Sequence, residues 1–236
     1  MKAAAKPLFT LLGNNTDPVI GLATGGTFEP FYAYVAAHYK EEGCTFSRTR
    51  SFNLDEYLGI SPENDQSYHY YMNKNLFSKV DIKEVRLPDA NPIGRIDAAE
   101  YDNLIRDAGG IDLQYLGIGV NGHIGFNEPG TGFDSKTHVV SLTESTIAAN
   151  ARFFANESDV PRKAVTMGIS TILGSRKIVL IATGKSKSGV IRDIAGVARP
   201  TETIPATALT THPNASFYLD GAAAAELDDN LRPMKR

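Results

Sequence analysis

Short apolar, β-rich runs alternate with amphipathic stretches along the chain, and this alternation constrains the fold more than any other feature. Ile178–Ala182 is a continuous apolar run, which is typical of a strand buried on both faces of a sheet. Strands that alternate with helices predict parallel β-α-β units. We therefore expect an α/β fold, a single domain over residues 1–236, with a doubly wound, mostly parallel sheet and helices on both faces.

The individual elements follow from apolar periodicity and turn residues. Strands are predicted at Val19–Ala23, Thr49–Leu54, Asp112–Ile118, Lys177–Ala182 and Ser216–Leu219. Helices are predicted at Phe28–Glu42, Ser67–Lys79 (with Ser67 as N-cap), Asp97–Ala108, Thr143–Asn156 and Ser186–Ile194, with a further helical piece at Ala222–Ala225.

Composition excludes several classes of function. The 236 residues carry 24 Lys and Arg against 27 Asp and Glu, a net charge of -3 without a basic block, so we expect no nucleic-acid partner. Cys44 is the only cysteine, and the five histidines lack metal-ligand spacing, so we expect no disulfide and no metal site. No stretch is long and apolar enough to cross a membrane, and Met1–Gly13 is a poor signal peptide. We expect a soluble, cytoplasmic protein.

Four unusual polar loops each follow a predicted strand directly. They are Thr24–Thr27, Asp55–Tyr57, Gly119–His123 and Thr183–Lys187. Ligands bind beyond the carboxyl ends of the strands in open parallel sheets. We therefore expect the four loops to converge on one crevice.

The loop Thr24-Gly25-Gly26-Thr27 is suited to bind an anion. Its glycines allow backbone N–H groups to approach a phosphate, and the following helix would point its positive end at the same place. Lys187 could complete this phosphate site from the neighbouring loop. An ordinary strand-to-helix turn is the alternative, since neither the P-loop nor the dinucleotide pattern is present.

Asp55 and Glu56 leave the second predicted strand, and side chains alternate there, so only one of them is expected to face the crevice. A carboxylate at a partly dry strand end can act as a general base. The alternative is that one acid caps a helix and the other is solvated.

His123 lies in a Gly- and Asn-rich segment that is poor material for regular structure, and its ordinary pKa suits proton transfer at neutral pH. Glu128 is close enough in sequence to orient the ring. A purely structural histidine is the alternative. Arg152, beside Phe153 and Phe154 on a predicted helix, is either a phosphate ligand or a surface residue.

Taken together, these segments resemble the glucosamine-6-phosphate deaminases, also called isomerases. The resemblance runs from about Val19 to Asp220. It rests on the motifs GLATGGT (21–27), FNLDEY (52–57), SY (67–68), GVNGHIGFNEPG (119–130) and NARFF (150–154), of which NGHIGFNEP is highly specific.

The resemblance implies a doubly wound α/β fold and the conversion of glucosamine 6-phosphate and water to fructose 6-phosphate and ammonium, a catabolic reaction without a cofactor. Asp55 would move the proton from C2 to C1, and His123 would assist ring opening, held by Glu128. The phosphate and substrate ligands implied are Thr24, Gly25, Gly26, Thr27, Tyr68, Arg152 and Lys187. Residues 142–162 would form a lid, and 228–236 a flexible tail.

Three departures from the family pattern matter. Asn121, counted here with the catalytic residues, stands where some members carry Asp, so we expect a less strongly raised pKa of His123 than in those relatives. Residues 1–18 form a shortened N-terminal segment, where members usually have an extra strand and helix, so the absence of an edge strand is one expectation. His138 and Val140 stand where allosteric members carry basic residues, which predicts a monomer or small homo-oligomer without that allostery.

Two other functions stay open. A 6-phosphogluconolactonase-like hydrolase is disfavoured because Gly122-His123-Ile124-Gly125 differs from that family's Gly-His-Thr-Ala pattern. A non-catalytic sugar-phosphate sensor would share the fold without turnover. Such sensors are usually fused to a DNA-binding helix-turn-helix, for which residues 1–18 leave no room.

Overall fold

Six parallel strands form the central sheet of the computed structural model, which describes residues 1–89, 98–142, 147 and 160–228. The strand order is β4-β2-β1-β5-β8-β9. The strands are β1 (Val19–Leu22), β2 (Arg50–Asn53), β4 (Glu84–Arg86), β5 (Leu113–Leu116), β8 (Ile178–Ala182) and β9 (Ala215–Leu219). A second, antiparallel sheet has the order β3-β7-β6, from β3 (Asp55–Tyr57), β6 (His138–Ser141) and β7 (Lys163–Thr166).

The first described helix precedes β1 and the others lie between strands along the chain; the sequence pattern predicts all of them except the first and the fifth. They are α1 (Lys2–Asn14), α2 (Phe28–His38), α3 (Tyr68–Asn75), α4 (Ala98–Asp107), α5 (Ile169–Leu173) and α6 (Ser188–Gly196). Short 3-10 segments occur at Phe77–Lys79, Lys185–Lys187 and Pro205–Thr211. The hydroxyl of Ser67 accepts the Tyr70 N–H at the start of α3, so the predicted N-cap is confirmed.

Helices cover both faces of the central sheet. Gly21 is in register with Phe52 and Gln114, so these residues share one face, and there the Phe52 ring packs against Tyr101 of α4. Tyr115 points to the opposite face, where it packs against Phe31 of α2 and donates a hydrogen bond to the Ala4 carbonyl of α1. The doubly wound α/β prediction is confirmed.

The strand order reverses between β1 and β5. From β1 the chain continues to β2 and β4 on one side, whereas β5 leads to β8 and β9 on the other. Connections that leave neighbouring parallel strands in opposite directions open a crevice at the carboxyl ends of those strands. This geometry places the candidate site.

The antiparallel sheet was not predicted, although it decides where Asp55 lies. Its strand β3 has three residues, and Asp55 pairs with Thr166 of β7 across a long sequence separation. Asp55 therefore belongs to a strand rather than to the polar loop that the sequence predicts.

Of the two local expectations for the ends of the chain, one needs correction. Residues 1–18 contain no strand, but they form α1, whose buried side chains Leu8, Phe9 and Leu12 join the main core, so the short segment contributes to that core. The run Ala222–Ala225 forms turns and not a helical piece. Asp220 accepts the Ala223 N–H there, and an aspartate at such a position favours a turn.

None of the described helices is long and apolar enough to span a membrane.

A substitution at Gly21 tests the tight centre of the sheet. A Cβ at Gly21 would collide with the carboxamide of Gln114, which is fully buried, so Gly21→Ala should destabilise the fold by about 1–3 kcal/mol in urea unfolding. In the double variant Gly21→Ala/Gln114→Ala, the loss of stability should be smaller than the sum of the losses in the two single variants. Gly13→Ala is the matched control, since a Cβ there meets no atom and the helix should gain up to about 1 kcal/mol. Equal effects at the two glycines would contradict this packing.

Candidate active site

One crevice collects residues from all four predicted loops. It encloses about 260 Å³, a size that suits a small molecule. Of the predicted site residues, the structure brings together along its lining Thr24, Gly25, Gly26, Thr27, Asp55, Tyr68, His123 and Lys187.

The loop after β1 forms the candidate anion site. Gly25 has a φ of 100°, and α2 begins at Phe28, so the positive end of the helix dipole faces the crevice. The Tyr71 hydroxyl donates to the Gly25 carbonyl at 2.8 Å. This contact directs one carbonyl of the loop to a protein donor.

Lys187 reaches the crevice from the 3-10 segment that follows β8. The lysine is half-buried, and burial lowers the pKa of its ammonium group. The loop that carries it is held by Asp220, whose carboxylate accepts the Gly184 N–H. A dianionic ligand would place negative charge beside this partly desolvated ammonium group and so stabilise its charged form.

Asp55 lines the crevice at the start of β3 and is only 7% exposed. Burial and, to a lesser extent, the negative charge of neighbouring Glu56 together raise the pKa of its carboxyl group to about 8. A carboxylate with such a pKa is a much stronger base than an ordinary aspartate.

Glu56 points away from the crevice, as the alternation of side chains along a strand requires. Its carboxylate accepts the backbone N–H groups of Tyr57, Tyr68 and His69. The expectation that one of the two acids caps a helix thus describes Glu56, and the other acid lies in the crevice.

An aromatic wall stands beside Asp55, formed by Tyr57, Tyr68 and Phe126. The Tyr68 and Phe126 rings stack at 6.2 Å between centroids, and Tyr57 packs against both. The Tyr68 hydroxyl donates to that of Tyr57 at 3.2 Å. Sequence reasoning singled out Tyr68 but missed Phe126, which also lines the crevice; its position directly before Asn127 in the specific motif was the available signal.

His123 is held by the tight turn that Gly119 and Gly122 allow. The Gly119 N–H donates to the His123 carbonyl, and Gly122 has a φ of 85°. The imidazole lies so close to Gly119 that a Cβ at that position would collide with the ring. The Gly-x-x-Gly-His spacing therefore fixes the ring against the backbone at the crevice.

Glu128 and Asn121 lie behind the imidazole and outside the crevice lining. His123 Nδ1 lies 3.3 Å from Glu128 Oε1, an ion-pair distance, but the two groups are not aligned for a hydrogen bond. Asn121 donates to the other Glu128 oxygen at 2.7 Å and accepts the His123 backbone N–H at 3.2 Å. The carboxylate faces Nδ1, which leaves Nε2 as the nitrogen for a ligand.

Burial lowers the pKa of His123, and the charge of Lys187 lowers it further, whereas Glu128 acts in the opposite direction. The sequence-based expectation was that the pKa of His123 is raised, but less strongly than in relatives with Asp at position 121. The direction of this expectation was wrong, because the pKa is lowered. Desolvation outweighs the single carboxylate, so the neutral imidazole is favoured.

Several predictions fall elsewhere. Arg152 and most of the proposed lid at 142–162, with most of the predicted helix Thr143–Asn156, lie outside the described residues, as does the tail beyond residue 228. Within the described ranges, no group of three or more His, Cys, Asp or Glu side chains is placed to hold a metal ion.

Comparison with known proteins bears on this site. The family model described as glucosamine-6-phosphate isomerases/6-phosphogluconolactonase matches residues 3–217. The chain belongs to this family. A glucosamine-6-phosphate deaminase of Rhodopirellula baltica is 52% identical over 214 residues, which cover 89% of this chain and 84% of the relative.

Solved structures agree with this membership of the isomerase/lactonase family. A monomeric glucosamine-6-phosphate deaminase superposes with a TM-score of 0.90 at 41% identity, covering 95% of this chain and 94% of the other. A 6-phosphogluconolactonase from Thermotoga maritima superposes with a TM-score of 0.72 at 21% identity, covering 92% of each chain. The second likeness shows a shared fold.

The burial of Asp55 predicts a pH-dependent cost in stability. The pKa of Asp55 is about 8 in the folded state and near 3.8 in the unfolded state. The folded protein therefore loses stability as the pH rises between these values, because only the unfolded chain releases the proton there. Asn resembles the protonated carboxyl and does not titrate. The Tm of Asp55→Asn minus that of the wild type should therefore be larger at about pH 9 than at about pH 5.

Asp107→Asn is the control, because Asp107 is an exposed carboxylate on α4. Its Tm difference from the wild type should change little over the same range. A Tm difference for Asp55→Asn that is constant with pH would contradict the raised pKa.

Proposed function

We propose that the chain is a glucosamine-6-phosphate deaminase, which converts glucosamine 6-phosphate and water to fructose 6-phosphate and ammonium. The observation that carries the proposal is the buried Asp55 in a crevice that is also lined by the Gly25–Thr27 loop, Lys187 and His123, with Glu128 facing Nδ1 of His123 from behind. The deaminase names of relatives at up to 52% identity support it.

In this proposal the phosphate binds at the end of the crevice formed by Gly25, Gly26, Thr27 and Lys187. Backbone N–H groups and a helix N-terminus suit a phosphate, and the lysine adds a point charge. Binding the remote phosphate supplies the energy that orients the sugar. Arg152 remains a predicted further ligand.

His123 then acts on the ring oxygen. With Glu128 opposite Nδ1, the imidazole presents Nε2 to the crevice, where it can relay a proton between O1 and O5 as the ring opens. Asn121 holds the Glu128 carboxylate and the backbone of His123, so it positions this pair and does not touch the substrate.

Asp55 takes the proton from C2 of the open-chain aldose, and the electron pair of the broken C–H bond forms the C1–C2 double bond of an enol, whose oxygen takes the proton that the C2 ammonium group releases. The same carboxyl returns the proton to C1, which leaves an iminium at C2. Water adds to C2, and ammonium leaves as the ketone of fructose 6-phosphate forms. The raised pKa of Asp55 suits both proton transfers at neutral pH.

A monomer or small homo-oligomer is part of the proposal. The monomeric state named for the deaminase that superposes at a TM-score of 0.90 supports it. Light scattering after size exclusion should give the mass of one chain, 25.5 kDa, or a small multiple of it. The cytoplasmic location stays a prediction.

The direct test is to incubate the purified protein with glucosamine 6-phosphate and to assay fructose 6-phosphate and ammonium together. Equimolar formation of both products is the expected result. Binding without either product would favour a sensor. Hydrolysis of 6-phosphogluconolactone without ammonium release would favour the lactonase alternative.

Asp55→Asn should abolish the exchange of the C2 proton with solvent, because Asn lacks a basic carboxylate. Loss of a general base typically costs about 10²–10⁴-fold in rate, while the phosphate contacts are unchanged. Exchange is followed by NMR in deuterated water, and phosphate binding by calorimetry. Exchange at the wild-type rate would remove Asp55 from this role.

A further inference from the structure

Glu56 is a buried acid that the proposed chemistry does not use. Its side chain is 5% exposed, and its Oε1 accepts the N–H groups of Tyr57 at 2.9 Å and Tyr68 at 3.0 Å, while Oε2 accepts that of His69 at 2.9 Å. The last two donors lie in the first turn of α3, where backbone N–H groups lack helical acceptors. The carboxylate thus ties β3 to the start of α3.

The start of α3 carries one group that lines the crevice and one that contacts a loop of the crevice. Tyr68 lines it and belongs to the aromatic wall, while Tyr71, one turn later, donates its hydroxyl proton to the Gly25 carbonyl at 2.8 Å. A displacement of this helix end would therefore move the aromatic wall of the crevice and the Gly25 loop (Thr24–Thr27) together.

We propose that Glu56 is a positioning residue of the deaminase reaction, which holds the Asp55 strand, Tyr68 and the Gly25 loop in one fixed arrangement. Glu56 does not touch the substrate. It acts through β3 on one side and through the first turn of α3 on the other. This inference rests on the proposed function.

Glu56 also acts on Asp55 through its charge. Its negative charge adds to burial in raising the pKa of Asp55. In the part of the chain that the structure describes, the other titratable groups that interact with Asp55 are Tyr68 from α3 and Tyr101 from α4, whose pKa values are raised well above 10.0, so both stay neutral. Burial raises the pKa of Glu56 itself, while the three backbone N–H groups and the nearby His69 favour its ionised form. Removing the charge of Glu56 should therefore make Asp55 less basic.

The experiment compares kcat and KM for ammonium release across pH in the wild type, Glu56→Gln and Glu56→Asp. Gln keeps the size but loses the charge and one acceptor oxygen. We expect a several-fold higher KM for Glu56→Gln, and an acidic limb of kcat/KM that moves to lower pH. Glu56→Asp keeps the charge on a shorter side chain, so KM should rise while the acidic limb stays in place.

Two further variants complete the design. Glu63→Gln changes an exposed carboxylate of the same β3–α3 connection, bonded to Ser61, and should match the wild type. Tyr71→Phe removes only the hydroxyl group that donates to the Gly25 carbonyl, and it should raise KM with little change in kcat. It tests the link to the loop even where a Glu56 variant fails to fold.

An unmoved acidic limb and a wild-type KM in Glu56→Gln would overturn the inference, as would a wild-type KM in Tyr71→Phe. A lower Tm alone, with kinetics and pH profile unchanged, would assign Glu56 to stability and likewise overturn it. These results are distinct from a failure of the proposed function, in which the wild type itself would release no ammonium.

Discussion

The parallel pairing of β1 with β5 is the contact on which the site depends. Ile20 pairs with Leu113 and Gly21 with Gln114, and the missing side chain at Gly21 makes room for the buried carboxamide. The connections after the two strands then diverge, which opens the crevice and places the Gly25 loop and the His123 turn along its lining. A change that separated these strands would remove both sides of the site at once.

The small antiparallel sheet supplies a buried carboxyl group to the crevice, which the central sheet does not. It carries Asp55 to the crevice as the partner of Thr166 and keeps it nearly out of solvent. The fold gives up stability near neutral pH by burying an acid that no cation among the described residues pairs with, and in the proposed reaction this carboxyl group moves a proton on carbon. Glu56, directed the other way, satisfies its own charge with three N–H groups.

Much of the central sheet could be predicted because buried parallel strands are continuous apolar runs, as Ile178–Ala182 shows. The order of polar loops after those strands also predicted which residues would meet. The antiparallel sheet could not be predicted, since β3 has three residues and pairs with a segment more than a hundred residues away. The direction of the His123 pKa escaped prediction because burial is a property of the packed structure.

A crystal structure with an unreactive open-chain amino-alditol 6-phosphate tests the central claim most directly. The account predicts the phosphate against the Gly25–Thr27 backbone and Lys187, with C2 facing the Asp55 carboxyl and the C5 hydroxyl within reach of His123. A phosphate bound outside this crevice, or a C2 atom turned away from Asp55, would contradict it.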